Sequence, residues 1–157
     1  MLRSNILPAD VLPSSSHYLW PAADDPVNCI RPLFCMPVPA GFPSPAGDYV
    51  EKGLDLNDYL IRNKATTFFF HVRGNSMDLA NIHDGDTIVV DRSIDPKHGH
   101  VVLAVVNDDY TVKRLYRKDG VLELRPENPA FKSIQLAEGE ELQVWGVVVG
   151  SIRRFLS

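Results

Sequence analysis

Nine of the twelve prolines of this 157-residue chain fall within its first 45 residues, at Pro8, Pro13, Pro21, Pro26, Pro32, Pro37, Pro39, Pro43 and Pro45. Each fixes φ, removes a backbone donor and disfavours helix in the residue before it. Charge is sparse there too, since Arg3, Asp10, Asp24, Asp25 and Arg31 are the only charged side chains before residue 41. Such a segment can neither fold as a helix-turn-helix nor build a core of its own. It reads as an extended arm, part of which can lie along the domain that follows.

That domain starts near Asp48. Asp55 is placed to N-cap a short helix over Leu56–Asn63, with Leu56, Tyr59 and Leu60 on one face. Beyond it the signals are strands rich in Val, Ile, Phe and Tyr: Thr67–Val72, Thr87–Asp91, His100–Val106, Thr111–Leu115, Val121–Arg125 and Gln143–Ile152. Turn chemistry separates them, notably Asp84-Gly85-Asp86, His98-Gly99, Asn107-Asp108-Asp109 and Lys118-Asp119-Gly120. Val101–Val106 is apolar at every position and is expected to be a central strand covered on both faces. The fold class is therefore mostly β, a single compact domain with one short helix, preceded by the proline-rich arm.

Apolar residues make up 45% and charged residues 23%, enough for a packed core. The net charge of -4 argues against a general nucleic-acid coat, which needs a basic surface to displace counterions from phosphates. The apolar run Val101–Val106 is far short of the about 20 residues of a bilayer span. Pro8, Asp10 and Pro13 interrupt any apolar signal segment at the start, so a cytoplasmic protein is expected. Cys29 and Cys35 are too few and too close to make a disulfide framework, and reduced thiols are expected.

Gly74-Asn75-Ser76-Met77 follows directly on an apolar strand. A serine in such a turn has an exposed hydroxyl and nearby backbone N–H groups, the two things acyl transfer asks of a site. Alone the tetrapeptide is an ordinary turn. Strand alternation, however, puts Thr111 and Lys113 on one face and Val112 and Arg114 on the other. If the Lys113 face is buried, its charged form is disfavoured and a neutral amine could take the proton of Ser76. If it is not, Lys113 and Arg114 merely edge a solvated hairpin.

Taken in order, several blocks resemble the UmuD/LexA family of self-cleaving serine–lysine peptidases. They are Gly41-Phe42-Pro43-Ser44-Pro45-Ala46, Asp48-Tyr49-Val50-Glu51, Leu54-Asp55-Leu56-Asn57, Gly74-Asn75-Ser76-Met77, Asp84-Gly85-Asp86 and Thr111-Val112-Lys113-Arg114-Leu115. Leu124-Arg125-Pro126-Glu127-Asn128 and Val144-Trp145-Gly146-Val147-Val148 complete the likeness, which runs from about residue 41 to the end. The resemblance implies a LexA/UmuD-like β domain over 41–157, with residues 1–40 removed by self-cleavage at the Ala40–Gly41 bond. It implies Ser76 as nucleophile, Lys113 as general base and the backbone N–H groups of Asn75 and Ser76 as oxyanion donors. It further implies an SOS-response protein of the bacterial cytoplasm, a homodimer stimulated by the RecA filament on single-stranded DNA. Its trimmed form would serve as accessory subunit to a UmuC-like Y-family polymerase subunit in translesion synthesis. No cofactor, metal or membrane is implied, nor sequence-specific DNA binding. The arm is longer than in the best-known member, Ala40 stands where that member has Cys, and His98-Gly99-His100 replaces a segment that usually ends in an acidic residue.

Rival readings differ in what they require. A LexA-type repressor needs a DNA-binding domain, which forty proline-rich residues do not supply. A signal peptidase needs a membrane anchor. A zinc site from His83, Asp84, Asp86, His98 and His100 lacks a second ligand pair at a matching spacing. The remaining alternative is a proteolytically inert dimeric binding module that regulates a polymerase or repressor.

Overall fold

The structure, a computed structural model, describes residues 19–21, 29–34, 40–41, 50–106, 108–135 and 142–156. They fall into two compact units, one within Ala23–Arg62 and the other comprising Leu19–Pro21 and the described residues from Asn63 onward.

The larger unit is an eight-stranded sheet. Its strands are β1 (Leu19–Pro21), β4 (Thr67–His71), β5 (Thr87–Asp91), β10 (Gln143–Ile152), β6 (Val101–Val106), β7 (Asp109–Lys118), β8 (Val121–Arg125) and β9 (Ile134–Gln135), in that spatial order. Every neighbouring pair is antiparallel. The smaller unit pairs β2 (Arg31–Phe34) with β3 (Val50–Leu54) and carries the helix α1 (Leu56–Leu60). The fold is thus mostly β with almost no helix, as the composition and turn chemistry imply.

Two clusters form the core of the sheet, and β6 contributes to both. Leu103 joins Phe70, Val72, Met77, Ile82, Ile88, Val90 and Trp145. Val102 and Ala104, which alternation turns the other way, join Leu115, Leu124, Leu142 and Val147. The strand expected to be covered on both faces is so covered. Trp145 organises the first cluster, meeting Phe68 and Phe70 edge-on at centroid distances of 5.1 and 5.0 Å. Gly146 follows at an irregularity of β10, and a Cβ there would approach Val90 Cγ1 to 2.7 Å and the Asp91 carbonyl oxygen to 3.2 Å. The neighbouring strand therefore requires glycine at this position.

The strands Thr87–Asp91, Val121–Arg125 and Gln143–Ile152 have the expected bounds. Three differences have physical causes. The hairpin strand expected over Thr111–Leu115 runs on as Asp109–Lys118, because its partners continue the ladder on both sides. The helix N-capped by Asp55 ends at Leu60 rather than Asn63, with Leu56 and Tyr59 exposed. Asn63 instead accepts the N–H of Ala65 on its side chain and that of Thr66 on its carbonyl, a local turn that competes with helix. Short strands also form in the proline-rich segment: Pro21 lies in β1, at the rim of the sheet, and Pro32 in a two-stranded ribbon, where a missing donor is tolerated.

Among the described residues no helix is long and apolar enough to cross a membrane. Cys29 is exposed, while Cys35 lies outside the described residues. Trp145→Ala, which empties the centre of the first cluster, is expected to cost about 3–5 kcal/mol in urea unfolding.

Candidate functional site

The residues after β4 are folded against the Asp84-Gly85-Asp86 turn. Val72 donates to the Asp86 carbonyl (2.8 Å) and accepts from Gly85 (3.0 Å), while the Gly74 N–H donates to Asp84 Oδ1 (2.6 Å). Gly74 and Gly85 have φ of 85° and 84°, the left-handed region that glycine enters without steric cost. Three residues on, Met77 is 2% exposed and anchored in the core. Its carbonyl accepts from Ala80 (2.9 Å) and Ile82 (3.3 Å), winding a short 3-10 turn over Asp78–Ala80. Ser76 is thus fixed between a constrained glycine turn and a buried methionine, with its own side chain half-buried.

Lys113 comes from β7, opposite Val102 of β6. It is 8% exposed. Its Nζ lies 2.9 Å from Ser76 Oγ, 2.9 Å from Thr111 Oγ1 and 2.9 Å from the Val112 carbonyl oxygen. All three partners are neutral. Among the described residues no carboxylate pairs with Lys113, and burial pushes its pKa below the usual lysine value. An ammonium here spends its three protons on three acceptors. A neutral amine keeps two of those bonds and turns its lone pair to the Ser76 hydroxyl. Lys113 is itself buried, and Val112 on the opposite face packs against the first cluster, so the solvated-hairpin reading of this strand does not hold.

Sequence reasoning did not assign a role to the segment after β8. The Glu127 N–H donates to the Ser76 carbonyl (2.8 Å), the Glu127 carbonyl accepts from Leu79 (2.9 Å), and Asn128 Nδ2 donates to the Asn75 carbonyl (2.8 Å). The Glu127 carboxylate pairs with Arg114, whose guanidinium also donates to the Gly99 carbonyl (2.7 Å). One short segment therefore grips the Ser76 loop and ties it to the residue beside Lys113. The only signal for this in the sequence is the Leu124–Asn128 block itself.

Each of the remaining candidates has its own local surroundings. Ala40 and Gly41 lie in a bend of the smaller unit, both exposed, with open space around Gly41. His98 Nδ1 accepts from the Arg117 N–H (3.1 Å), and its ring meets Tyr116 edge-on. His100 Nδ1 accepts from Lys97 (3.2 Å), and His83 pairs with Asp78 (3.1 Å). Asp86, 1% exposed, binds Arg153 through both oxygens at 2.7 Å. Among the described residues no three His, Cys, Asp or Glu side chains converge as metal ligands.

The sequence profile described as Peptidase S24-like matches residues 32–149. The chain is 45% identical over 130 residues to protein SamA of Salmonella typhimurium, which spans 83% of this chain and 90% of that protein. It is 43% identical over 135 residues to protein ImpA of Escherichia coli, covering 85% of this chain and 90% of the relative. The LexA repressor of Bordetella avium is 40% identical over 116 residues, 74% of this chain and 54% of the repressor.

The Arg153 guanidinium holds the Asp86 carboxyl down at about 2, against an ordinary 3.8. A depressed carboxylate stabilises the fold above the ordinary value and loses that contribution as pH falls through the folded one. At 1.36 kcal/mol per pKa unit this is about 2 kcal/mol. Arg153→Met is therefore expected to lose about 2 kcal/mol at pH 7 in urea unfolding. Its deficit against the parent chain should shrink between pH 4 and pH 2.

Proposed function

The chain belongs to the Peptidase S24-like family, and we propose that it cuts its own backbone between Ala40 and Gly41 with Ser76 as nucleophile and Lys113 as general base. The observation that carries this reading is the 2.9 Å approach of Lys113 Nζ to Ser76 Oγ in a site where the lysine is buried among neutral acceptors.

Neutral Lys113 takes the proton of Ser76 as Oγ attacks the carbonyl carbon of Ala40. The N–H groups of Asn75 and Ser76 stabilise the charge that develops on the carbonyl oxygen. When the intermediate collapses, the bond from the Ala40 carbon to the Gly41 nitrogen breaks. The Lys113 ammonium then returns its proton to the departing amine. Water, activated by the same amine, hydrolyses the ester joining Ala40 to Ser76 and leaves a carboxylate and a free serine. Small residues at positions 40 and 41 suit a chain that must bring a carbonyl close to Ser76.

The likeness to SamA, ImpA and the LexA repressor supports a role in the SOS response of a bacterial cytoplasm. In this reading a RecA filament on single-stranded DNA stimulates the cut. The trimmed homodimer then joins a UmuC-like Y-family polymerase subunit for translesion synthesis.

Incubated purified chain, followed by intact mass, should lose residues 1–40. Ser76→Ala and Lys113→Ala should each slow the cut by at least about a hundredfold. The rate should rise with pH as Lys113 becomes neutral and level off below the about 10.4 of an ordinary lysine. Gly41→Val should slow the cut through its branched side chain at the bond. Cleavage that survives Ser76→Ala would overturn the mechanism. An uncut chain, even with RecA filament added, would leave a binding module.

A further inference from the structure

The grip on the Ser76 loop has a directional consequence. Two successive carbonyls are held, Asn75 by the Asn128 side chain and Ser76 by the Glu127 N–H, each at 2.8 Å. The described chain has no cis peptide bond, so in each of these planar units the C=O and the following N–H point in opposite directions. Holding the Asn75 oxygen therefore fixes where the Ser76 N–H points. Among the described residues no hydrogen bond takes up that N–H.

We propose that Asn128 is a positioning residue that aims the Ser76 N–H at the substrate carbonyl oxygen as it becomes an oxyanion; the inference rests on the peptidase reading above. The amide of Asn128 is itself held in the required sense. Its Oδ1 accepts from the Ala130 N–H at 3.0 Å, which leaves Nδ2 facing the Asn75 carbonyl. Reversed, the amide would set two oxygens against each other and leave the Ala130 N–H facing a donor. Glu127 holds the Ser76 carbonyl through its backbone N–H, while its carboxylate is turned to Arg114. At the Asn75 carbonyl the demand is on the side chain of residue 128, for a group that donates to one side and accepts from the other.

Asn128→Asp separates those two duties, because a carboxylate still accepts from Ala130 but cannot donate to Asn75. The plateau of its first-order self-cleavage rate should fall about ten- to hundredfold with the unfolding temperature unchanged, while the added negative charge can itself raise the midpoint of the pH profile. Asn128→Ala, which adds no charge, should lose the same plateau with the midpoint unchanged, and the midpoint is read on this variant. A loose loop would instead shift the midpoint, because Ser76 would no longer sit at its hydrogen-bond distance from Lys113. An unimpaired plateau in either variant, or a loss in Asn128→Ala accompanied by a shifted midpoint, overturns the role of Asn128. With parent chain and Ser76→Ala run alongside, an uncut parent or a cut Ser76→Ala overturns the peptidase reading and this inference with it. Normal behaviour of those two with a fully active Asn128→Asp overturns this inference alone.

Discussion

Lys113 faces Ser76 because Val102 stands opposite it across the β6–β7 ladder. In an antiparallel pair a slip of one residue turns every side chain to the other face. Such a slip would present Val112 or Arg114 where the lysine amine now sits. The register is specified by burial: Val102 and Ala104 are 0% exposed on one face and Leu103 is 2% exposed on the other, so β6 has no face that tolerates a shift. β10 fixes β6 from its other edge through Gln143–Val147. The placement of one lysine thus rests on a strand with no polar side chain.

The cations of the sheet are treated unequally. Arg114, Arg125 and Arg153 are each paired to a carboxylate, from Glu127, Glu123 and Asp86 respectively. Lys113, more buried than any of these, receives only a hydroxyl pair and a carbonyl. A carboxylate beside it would favour the ammonium and deny the proposed mechanism its neutral amine. The fold bears a cost for this, since a lysine with a depressed folded pKa destabilises the native state at neutral pH. That penalty is relieved only as pH climbs toward the unfolded value.

Local signals nominate Ser76 and Lys113, through a glycine turn after an apolar strand and a two-residue period that sets Lys113 apart from Val112. They leave the burial of Lys113 open; the family resemblance paired the two residues, and the fold brings them to 2.9 Å. The β strands with alternating or continuous apolar runs were legible because their signals are local. The grip on the loop was not, because Asn128 reaches a backbone carbonyl 53 residues away, and a carbonyl has no sequence signature. The strands Leu19–Pro21 and Arg31–Phe34 were hidden by their prolines, which forbid a ladder donor at one position without forbidding an edge. The end of α1 depended on Asn63 choosing a turn, a competition that propensity alone leaves open.

The sheet's first strand has a property that follows from where it sits in the chain. Leu19–Pro21 pairs along Phe68–Phe70 of β4, yet it precedes Ala40. While the backbone is continuous, the linkage confines this strand near β4 at an effective concentration on the order of millimolar. If the chain is cut where we propose, the same three residues become part of a separate peptide, subject to dilution. Three residue pairs are a small contact with which to resist it. The β4 edge that their departure would bare is Thr67-Phe68-Phe69-Phe70-His71, with no lysine, glutamate or proline to discourage another strand from pairing there. Cleavage would then change the valence of the sheet as well as the length of the chain.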